Sequence, residues 1–157
     1  MAALITPVNV SVVTKAVEQM LNDDPSVGGQ GALIERSAPL REEATSDGWV
    51  GIYRSQVKHV ARALGMSAAQ RMSRVLLMLV VRESAQSSGA DCEDNLEDLV
   101  QRVLQTLLSD PSLKGTVQML DEVVVNYDRY EKDSDDVFNQ SATLFITALA
   151  PTGVAYT

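Results

Sequence analysis

Carboxylates are the side chains of this sequence best suited to chemistry, and three of them stand close together. Asp121, Glu122 and Asp128 fall in one predicted strand, and carboxylates alone can hold Mg²⁺ in a hydrolase. Because side chains alternate along a strand, however, Glu122 and Asp128 share a face with Val124 and Asn126 rather than with converging acids. A carboxylate- and Mg²⁺-dependent hydrolase therefore stays an alternative that the spacing does not favour.

Other reactive residue types are scarce. The chain has one histidine, His59, and one cysteine, Cys92, so by itself it supplies neither a multi-histidine metal site nor a disulfide. Cys92 lies at a predicted helix start, where its pKa could be lowered; the alternative is a helix-start residue with no redox role. Residues 28–31 lack the ending of a P-loop, and residues 133–136 lack the glycine and distal glutamate of an EF-hand. We expect no catalytic residue, metal or cofactor, and a protein that is not an enzyme.

Charge is unevenly distributed along the chain. The net charge of −8 divides into +2 for residues 1–82 and −10 for residues 83–157. No acid occurs between residues 48 and 82, and the basic residues there are Arg54, Lys58, Arg62, Arg71, Arg74 and Arg82. The opposite composition occurs between residues 121 and 136, where the acids include Asp121, Glu122, Asp128 and Glu131.

This charge pattern has three interpretations. If the two segments form different faces, copies of the chain would attract head to tail, and such a contact closes into a ring when the rotation allows. Alternatively, the segments lie side by side and neutralise each other within one subunit. The basic stretch could also contact DNA phosphates without sequence specificity, although seven aromatic residues leave little for base stacking.

Periodic apolar residues predict two main helices that must position these groups. The first spans residues 9–22 and the second residues 91–110, with Asp91 as N-cap and with Pro111 and Gly115 ending it. The second helix has an apolar stripe at i, i+3, i+4 and i+7 spacing. Its members are Leu96, Leu99, Val100, Val103, Leu104, Leu107 and Leu108. Asp-Pro-Ser follows both predicted helices, at Asp24 and Asp110, which we interpret as repeated helix-stop chemistry.

The remaining elements are predicted strands, at residues 32–36, 49–53, 72–83, 117–128 and 138–151. The apolar run at residues 75–81 is continuous, which is typical of a central strand covered on both faces. The last two strands alternate as a hairpin would. We predict an α+β fold in one domain, residues 1–157, with a mixed, mainly antiparallel sheet of about four to five strands packed with two main helices. Residues 37–72, which include the strand at 49–53, form an extended loop or arm in this interpretation, with a short helix as the alternative from residue 57 to residue 69.

The order of the second helix, its Asp-Pro-x-Leu-x-Gly exit at residues 110–115, the following strand and the closing strand at 138–151 resembles the tail terminator (tail completion, neck) proteins of tailed bacteriophages. The resemblance covers residues 75–151. It implies a structural virion protein that forms a ring of six copies at the head-proximal end of the tail tube, ends tube polymerisation and joins the head connector. Another neck or head-completion protein of the same particle is the alternative.

The resemblance also implies the partners. They are further copies of the chain, the tail tube protein and the head–tail connector, with non-specific contact to DNA in the ring lumen as one use of the basic stretch. The interface residues that we predict are Arg54, Lys58, Arg62, Arg71, Arg74, Asp121, Glu122, Asp128 and Glu131.

No apolar run approaches the roughly 20 residues of a membrane span, and no basic region precedes the first apolar residues. We therefore expect no membrane partner and assembly in the host cytoplasm.

Overall fold

The fold was obtained as a computed structural model that describes residues 3–6, 8–37, 48–59, 72–85, 88–128, 131–132, 137–151 and 153–156. Its helices are α1 (Val10–Asp23) and α2 (Gly89–Ser109), with a short 3₁₀ turn at Gly28–Gln30. Its strands are β1 (Ala3–Thr6), β2 (Leu33–Arg36), β3 (Trp49–Lys58), β4 (Met72–Ala85), β5 (Met119–Tyr127), β6 (Glu131–Lys132), β7 (Phe138–Pro151) and β8 (Gly153–Tyr156).

One mixed sheet organises these elements. Its strand order is β2-β3-β4-β7-β5, with the short β6 also paired to β7. Only the β2–β3 pair is parallel among the described pairs of this sheet; the others are antiparallel. The longest strands, β4 and β7, pair along their whole length from Met72 opposite Pro151 to Ala85 opposite Phe138. β1 and β8 form a separate antiparallel ribbon of two strands. The predicted α+β class is confirmed.

Both helices pack on one face of this sheet and form a single core with it. α1 contributes Val13, Val17 and Leu21, and the stripe of α2 contributes Leu96, Leu99, Val100, Val103 and Leu107. From the sheet, alternate residues of β4 and β7 point toward these helices, because side chains alternate across a strand. The central position predicted for residues 75–81 is confirmed, but the described helices cover only one face of β4.

Several element boundaries differ from the sequence prediction. α2 begins two residues before Asp91, with Ser88 as its N-cap accepting a hydrogen bond from the Asp91 backbone N–H at 3.1 Å. Leu108 ends the apolar stripe but is 56% exposed, because it lies at the edge of the buried arc. β3 extends to Lys58, five residues beyond the predicted end. Apart from this strand and its immediate neighbours, the predicted arm at residues 37–72 lies outside the described residues.

The two Asp-Pro-Ser sequences adopt the same hydrogen-bonded turn after their helices. In each, the aspartate Oδ1 accepts from the backbone N–H and the hydroxyl of the serine two residues later, Ser26 for Asp24 and Ser112 for Asp110. These bonds favour the carboxylate and lower the pKa of both aspartates. Asp24 also accepts from the Thr106 hydroxyl of α2 at 2.8 Å, so that it joins the end of α1 to α2.

Replacing Asp24 with alanine is expected to lower the free energy of unfolding by about 1–2 kcal/mol, because Asp24 accepts from the Ser26 backbone N–H and hydroxyl and from the Thr106 hydroxyl of α2. The lowered pKa of Asp24 stabilises the fold above its unfolded-state pKa of about 3.9, and this contribution is lost as the pH falls through the lower folded-state pKa. Urea denaturation at pH 7 and pH 3 measures both effects. Asp23→Ala, at the exposed neighbouring position, is the matched control and should change stability by less than about 0.5 kcal/mol.

No helix in the part of the chain that the structure describes is long and apolar enough to cross a membrane.

Candidate interaction surface

The face of the sheet turned away from α1 and α2 is the first candidate surface, and we call it the open face. Cross-strand register places Tyr53 opposite Met78, Met78 opposite Phe145 and Phe145 opposite Val124. Val124 is 41% exposed, and the other three side chains are half-buried. None of the four belongs to the core cluster beneath the helices. The open face therefore presents a band of apolar side chains across four strands, such as protein interfaces use.

Basic residues border this band at one end. Lys58 at the end of β3 lies directly opposite Arg74 of β4, and both side chains are exposed. Like charges directly opposite each other on a sheet are destabilising, so an acidic partner would relieve a cost present in the isolated subunit. Arg54 is exposed as well, next to the register shift of β3. We call Lys58 and Arg74 the basic end. Arg54 pairs with Leu77, a core residue three positions along β4 from Arg74, so the register places Arg54 nearer the middle of the sheet and on its helix-covered face. The predicted Arg62 and Arg71 lie outside the described residues.

The predicted acidic residues do not lie together. Glu122 of β5 is exposed on the open face. It pairs with Thr147 of β7, which pairs with Leu76 of β4, two residues from Arg74. Asp121 lies at the register shift of β5. Asp128 lies at the opposite end of the sheet, where its carboxylate accepts from the Ser141 hydroxyl at 2.8 Å. Glu131 belongs to β6. The structure therefore distributes the acidic segment over both ends of the sheet, with Glu122 near the basic end.

The single tryptophan is held on the side of the sheet that carries the open face. Trp49 is fully buried and its indole N–H donates to Glu35 of β2 at 2.8 Å. A Cβ at Gly51 would lie 2.5 Å from the Trp49 ring and 2.8 Å from the Tyr53 ring, so only glycine leaves room for both rings along β3. Burial, followed by the charge of Glu35, raises the pKa of Tyr53.

At the far end of the sheet from the basic end, the start of α2 covers polar side chains. Glu83 and Cys92 are buried there, and the Cys92 thiol lies 3.5 Å from the Glu83 carbonyl oxygen and 3.4 Å from that of Phe138. Burial, then the charges of Glu83 and Glu93, raises the pKa of Cys92. The lowered pKa considered from sequence is wrong, because the side chain points into the core one turn inside the helix.

A second charged feature at this end was missed from the sequence. Glu93, Asp94 and Glu97 of α2, Tyr127 of β5 and Gln140 of β7 line a cavity of about 390 Å³, which we call the acidic pocket. The sequence signals only its α2 wall: residues 83–101 contain six acids and no lysine or arginine. Gln140 pairs with Glu83, which is nine positions along β4 from Arg74. At the rise of a strand, this separates the acidic pocket from the basic end by about 30 Å.

Hydrogen bonds define the inner wall of the acidic pocket. The Tyr127 hydroxyl donates to the Glu97 carboxylate; together with burial, this bond and the Glu97 charge raise the pKa of Tyr127 to about 12. Gln140 is 8% exposed, and its side-chain N–H donates to the Asp128 carbonyl oxygen at 2.6 Å. Its Oε1 is buried without a hydrogen-bond partner. No group of three or more metal-ligating side chains occurs among the described residues.

Comparisons with known proteins find likeness to solved structures but not to a family model or a curated protein. No protein-family model matches the chain, and no curated protein matches it. Among solved structures, it is similar to the sheath/tube terminator of an extracellular contractile injection system, PVC, determined by cryo-EM in its extended state. The match covers 97% of this chain and 63% of the other at 14% sequence identity and a TM-score of 0.39. The chain thus spans less than two thirds of the length of that protein.

Proposed function

We propose that this protein is a structural subunit of a phage or phage-like tail, acting as a tail terminator that ends tube polymerisation and links the tail to the head connector. The observation that supports the proposal is the order of the secondary-structure elements, which resembles that of the phage tail terminator proteins. A central strand β4, helix α2, the Asp-Pro turn at residues 110–115, strand β5 and closing strand β7 follow one another in the described chain. The supporting surface is the open face, which is apolar enough to bind protein.

The proposed mechanism requires a subunit with chemically different ends. The basic end and the acidic pocket lie about 30 Å apart along β4, so they cannot neutralise each other within one chain. A head-to-tail contact between such ends is heterologous, and it forms a closed ring when the rotation between copies allows closure. The proposed ring has six copies, and it binds the tube protein on one side and the connector on the other. The exposed part of the open face, at Val124 and Glu122 of β5, is available for one of these partners.

The decisive experiment inactivates the gene in the phage or prophage that encodes the chain and examines lysates by electron microscopy. Overlong tails without heads, beside filled heads without tails, are expected for a terminator. Tails of normal length that fail to join heads would place the protein in the neck instead. Ordinary particles would overturn the structural role.

Charge reversal of Arg74 to glutamate is expected to weaken self-association of the purified protein about tenfold at low salt, because the basic end then repels the acidic surface of the next copy. Sedimentation velocity over a concentration series measures the change. The difference between variant and native chain should shrink as salt rises, since exposed charges are screened. Lys15→Glu, an exposed charge reversal on α1, is the control. Equal association of the Arg74 and Lys15 variants would remove Arg74 from the contact.

A further inference from the structure

β5 leaves one of its two sides open, and we call that side the β5 edge. It is the last strand in the order of the main sheet, and no strand in the described part of the chain pairs with the side turned away from β7. The Asp128 backbone N–H donates to the Ser141 carbonyl oxygen. The alternation of an antiparallel ladder then turns the backbone N–H and C=O groups of Val123, Val125 and Tyr127 away from β7. The β5 edge therefore offers hydrogen bonds to another strand.

A second open edge lies on the opposite side of the sheet, at the end of β3. β2 pairs only with Trp49–Ile52, so residues 54–58 have no strand beside them on that side among the described elements, and we call them the β3 edge. Four of these five residues are exposed and one is half-buried. The Ile52 carbonyl oxygen accepts from the Ser37 N–H on this side, which makes Arg54 the next residue whose backbone groups point outward.

The two edges carry opposite charges. The β5 edge holds Asp121 and Glu122, and no lysine or arginine occurs from residue 115 to residue 128. The β3 edge holds Arg54 and Lys58, within the stretch that has no acid. All four side chains are exposed. Pairing of two β5 edges would bring acids together, and like charges on neighbouring strands are destabilising. The charges therefore favour the β3 edge of another copy as the partner of the β5 edge.

The two edges also match in direction and in level. Three successive antiparallel pairings separate β3 from β5, so β3 of another copy placed beside β5 continues the sheet as an antiparallel pair. Cross-strand pairing puts Gln56 level with Glu122, and each edge has one bulge next to that level, at Ser55 and at Asp121. A bulge alone blunts an edge against pairing, but two bulges at one level leave the residues on either side in phase.

We propose that β5 of one copy pairs edge to edge with residues 54–58 of the next copy, so that the sheet continues from subunit to subunit. Backbone hydrogen bonds supply the contact, as in strand addition generally, and Glu122 then lies beside Lys58 of its neighbour. The contact also covers Met119 and Val124, which are 47% and 41% exposed. It is heterologous, because it joins two different edges. The inference rests on the proposed function, since it adds a backbone contact between neighbouring copies to the ring.

Cysteine cross-linking tests this contact in the full chain. Lys58 and Met119 lie at one level of the sheet but three interstrand spacings apart, about 14 Å, which is too far for a disulfide within one subunit. Cys92 is buried and stays out of the reaction. An equimolar mixture of Lys58→Cys and Met119→Cys is expected to form a disulfide-linked dimer at least tenfold faster than a mixture of Lys15→Cys and Met119→Cys. Lys15 is exposed on α1, outside both edges.

Paired charge reversals test the same contact without added cysteines. Asp121→Lys with Glu122→Lys reverses the β5 edge, and Arg54→Glu with Lys58→Glu reverses the β3 edge, which stays net negative even with Arg74 opposite Lys58. Each double variant alone should associate at least tenfold more weakly than the native chain in sedimentation velocity at low salt, because a reversed edge meets a native edge of like sign. In an equimolar mixture, contacts between unlike variants pair opposite charges, so association should return.

A matched control and three outcomes decide the proposal. Lys15→Glu with Lys114→Glu changes the net charge as much as reversal of the β3 edge does, at exposed positions outside both edges, and should associate as the native chain does. Self-cross-linking of Met119→Cys would show pairing of two β5 edges and overturn the choice of β3. A mixture of the reversed variants that stays dissociated while the native chain assembles would overturn the edge contact and leave the proposed function standing. A native chain that stays monomeric, with no cross-link above the Lys15 background, would also overturn the contact, and gene inactivation then decides the proposed function separately.

Discussion

Gly48→Ala is expected to lower the free energy of unfolding by about 2–5 kcal/mol. Gly48 has a φ of +93° directly before β3, a conformation that costs a residue with a side chain about 1–2 kcal/mol. A Cβ there would also lie 2.6 Å from the Leu99 Cδ2 and 2.7 Å from a Glu83 carboxylate oxygen. Both neighbours are buried, Leu99 on α2 and Glu83 on β4, so neither moves aside freely, and overpacking a core adds about 1–3 kcal/mol. Urea denaturation followed by the fluorescence of the single tryptophan measures the change.

Gly115 provides a matched control for this substitution. It also has positive φ, +78°, but a Cβ there meets no atom within 4 Å. Gly115→Ala should therefore cost only the backbone contribution, about 1–2 kcal/mol, and the difference between the two variants measures the crowding at Gly48. Equal losses at both positions would show that α2 is not packed against the start of β3 as closely as the structure indicates.

Much of the fold follows from local sequence, because its apolar patterns are long and regular. The stripe of α2 and the alternation of β7 predicted their elements to within a few residues, and the alternating strands β5 and β7 pair as expected. The start of α2 was misplaced because Ser88 and Asp91 are both good N-caps, and only the hydrogen bond identifies Ser88. The β1–β8 ribbon joins residues near opposite ends of the chain, a pairing that no local pattern encodes.

The candidate surfaces were less predictable, since they depend on which elements meet in space. The basic residues were noticed as a run, and Lys58 and Arg74 do lie opposite each other. The acidic pocket could not be assembled from sequence, because it combines α2 with Tyr127 and Gln140 from two later strands. Gln140 in particular is a polar residue within a strand, and only its burial and its unpaired oxygen distinguish it.

Cys92 offers a direct measure of how firmly the start of α2 is held. Its side chain is fully buried, and its pKa is raised by burial and by Glu83 and Glu93, so the folded protein presents almost no accessible thiolate at neutral pH. Because the pKa of Cys92 is raised in the folded state, the free energy of unfolding falls as the pH rises above about 8.5, the ordinary pKa of cysteine. Reaction with a thiol reagent therefore requires opening of the structure.

Labelling of Cys92 by a disulfide reagent at pH 7.5 is expected to be about a thousandfold or more slower in the native protein than in the chain unfolded by urea. Because the chain has one cysteine, each molecule reports one event. If opening is global, Gly48→Ala should speed labelling in proportion to its lost stability, tenfold for each 1.4 kcal/mol, while Gly115→Ala speeds it less. If Cys92 is labelled at the same rate in both variants as in the native chain, the first turns of α2 open locally. The acidic pocket on the same turns would then lack a rigid wall for the proposed head-to-tail contact.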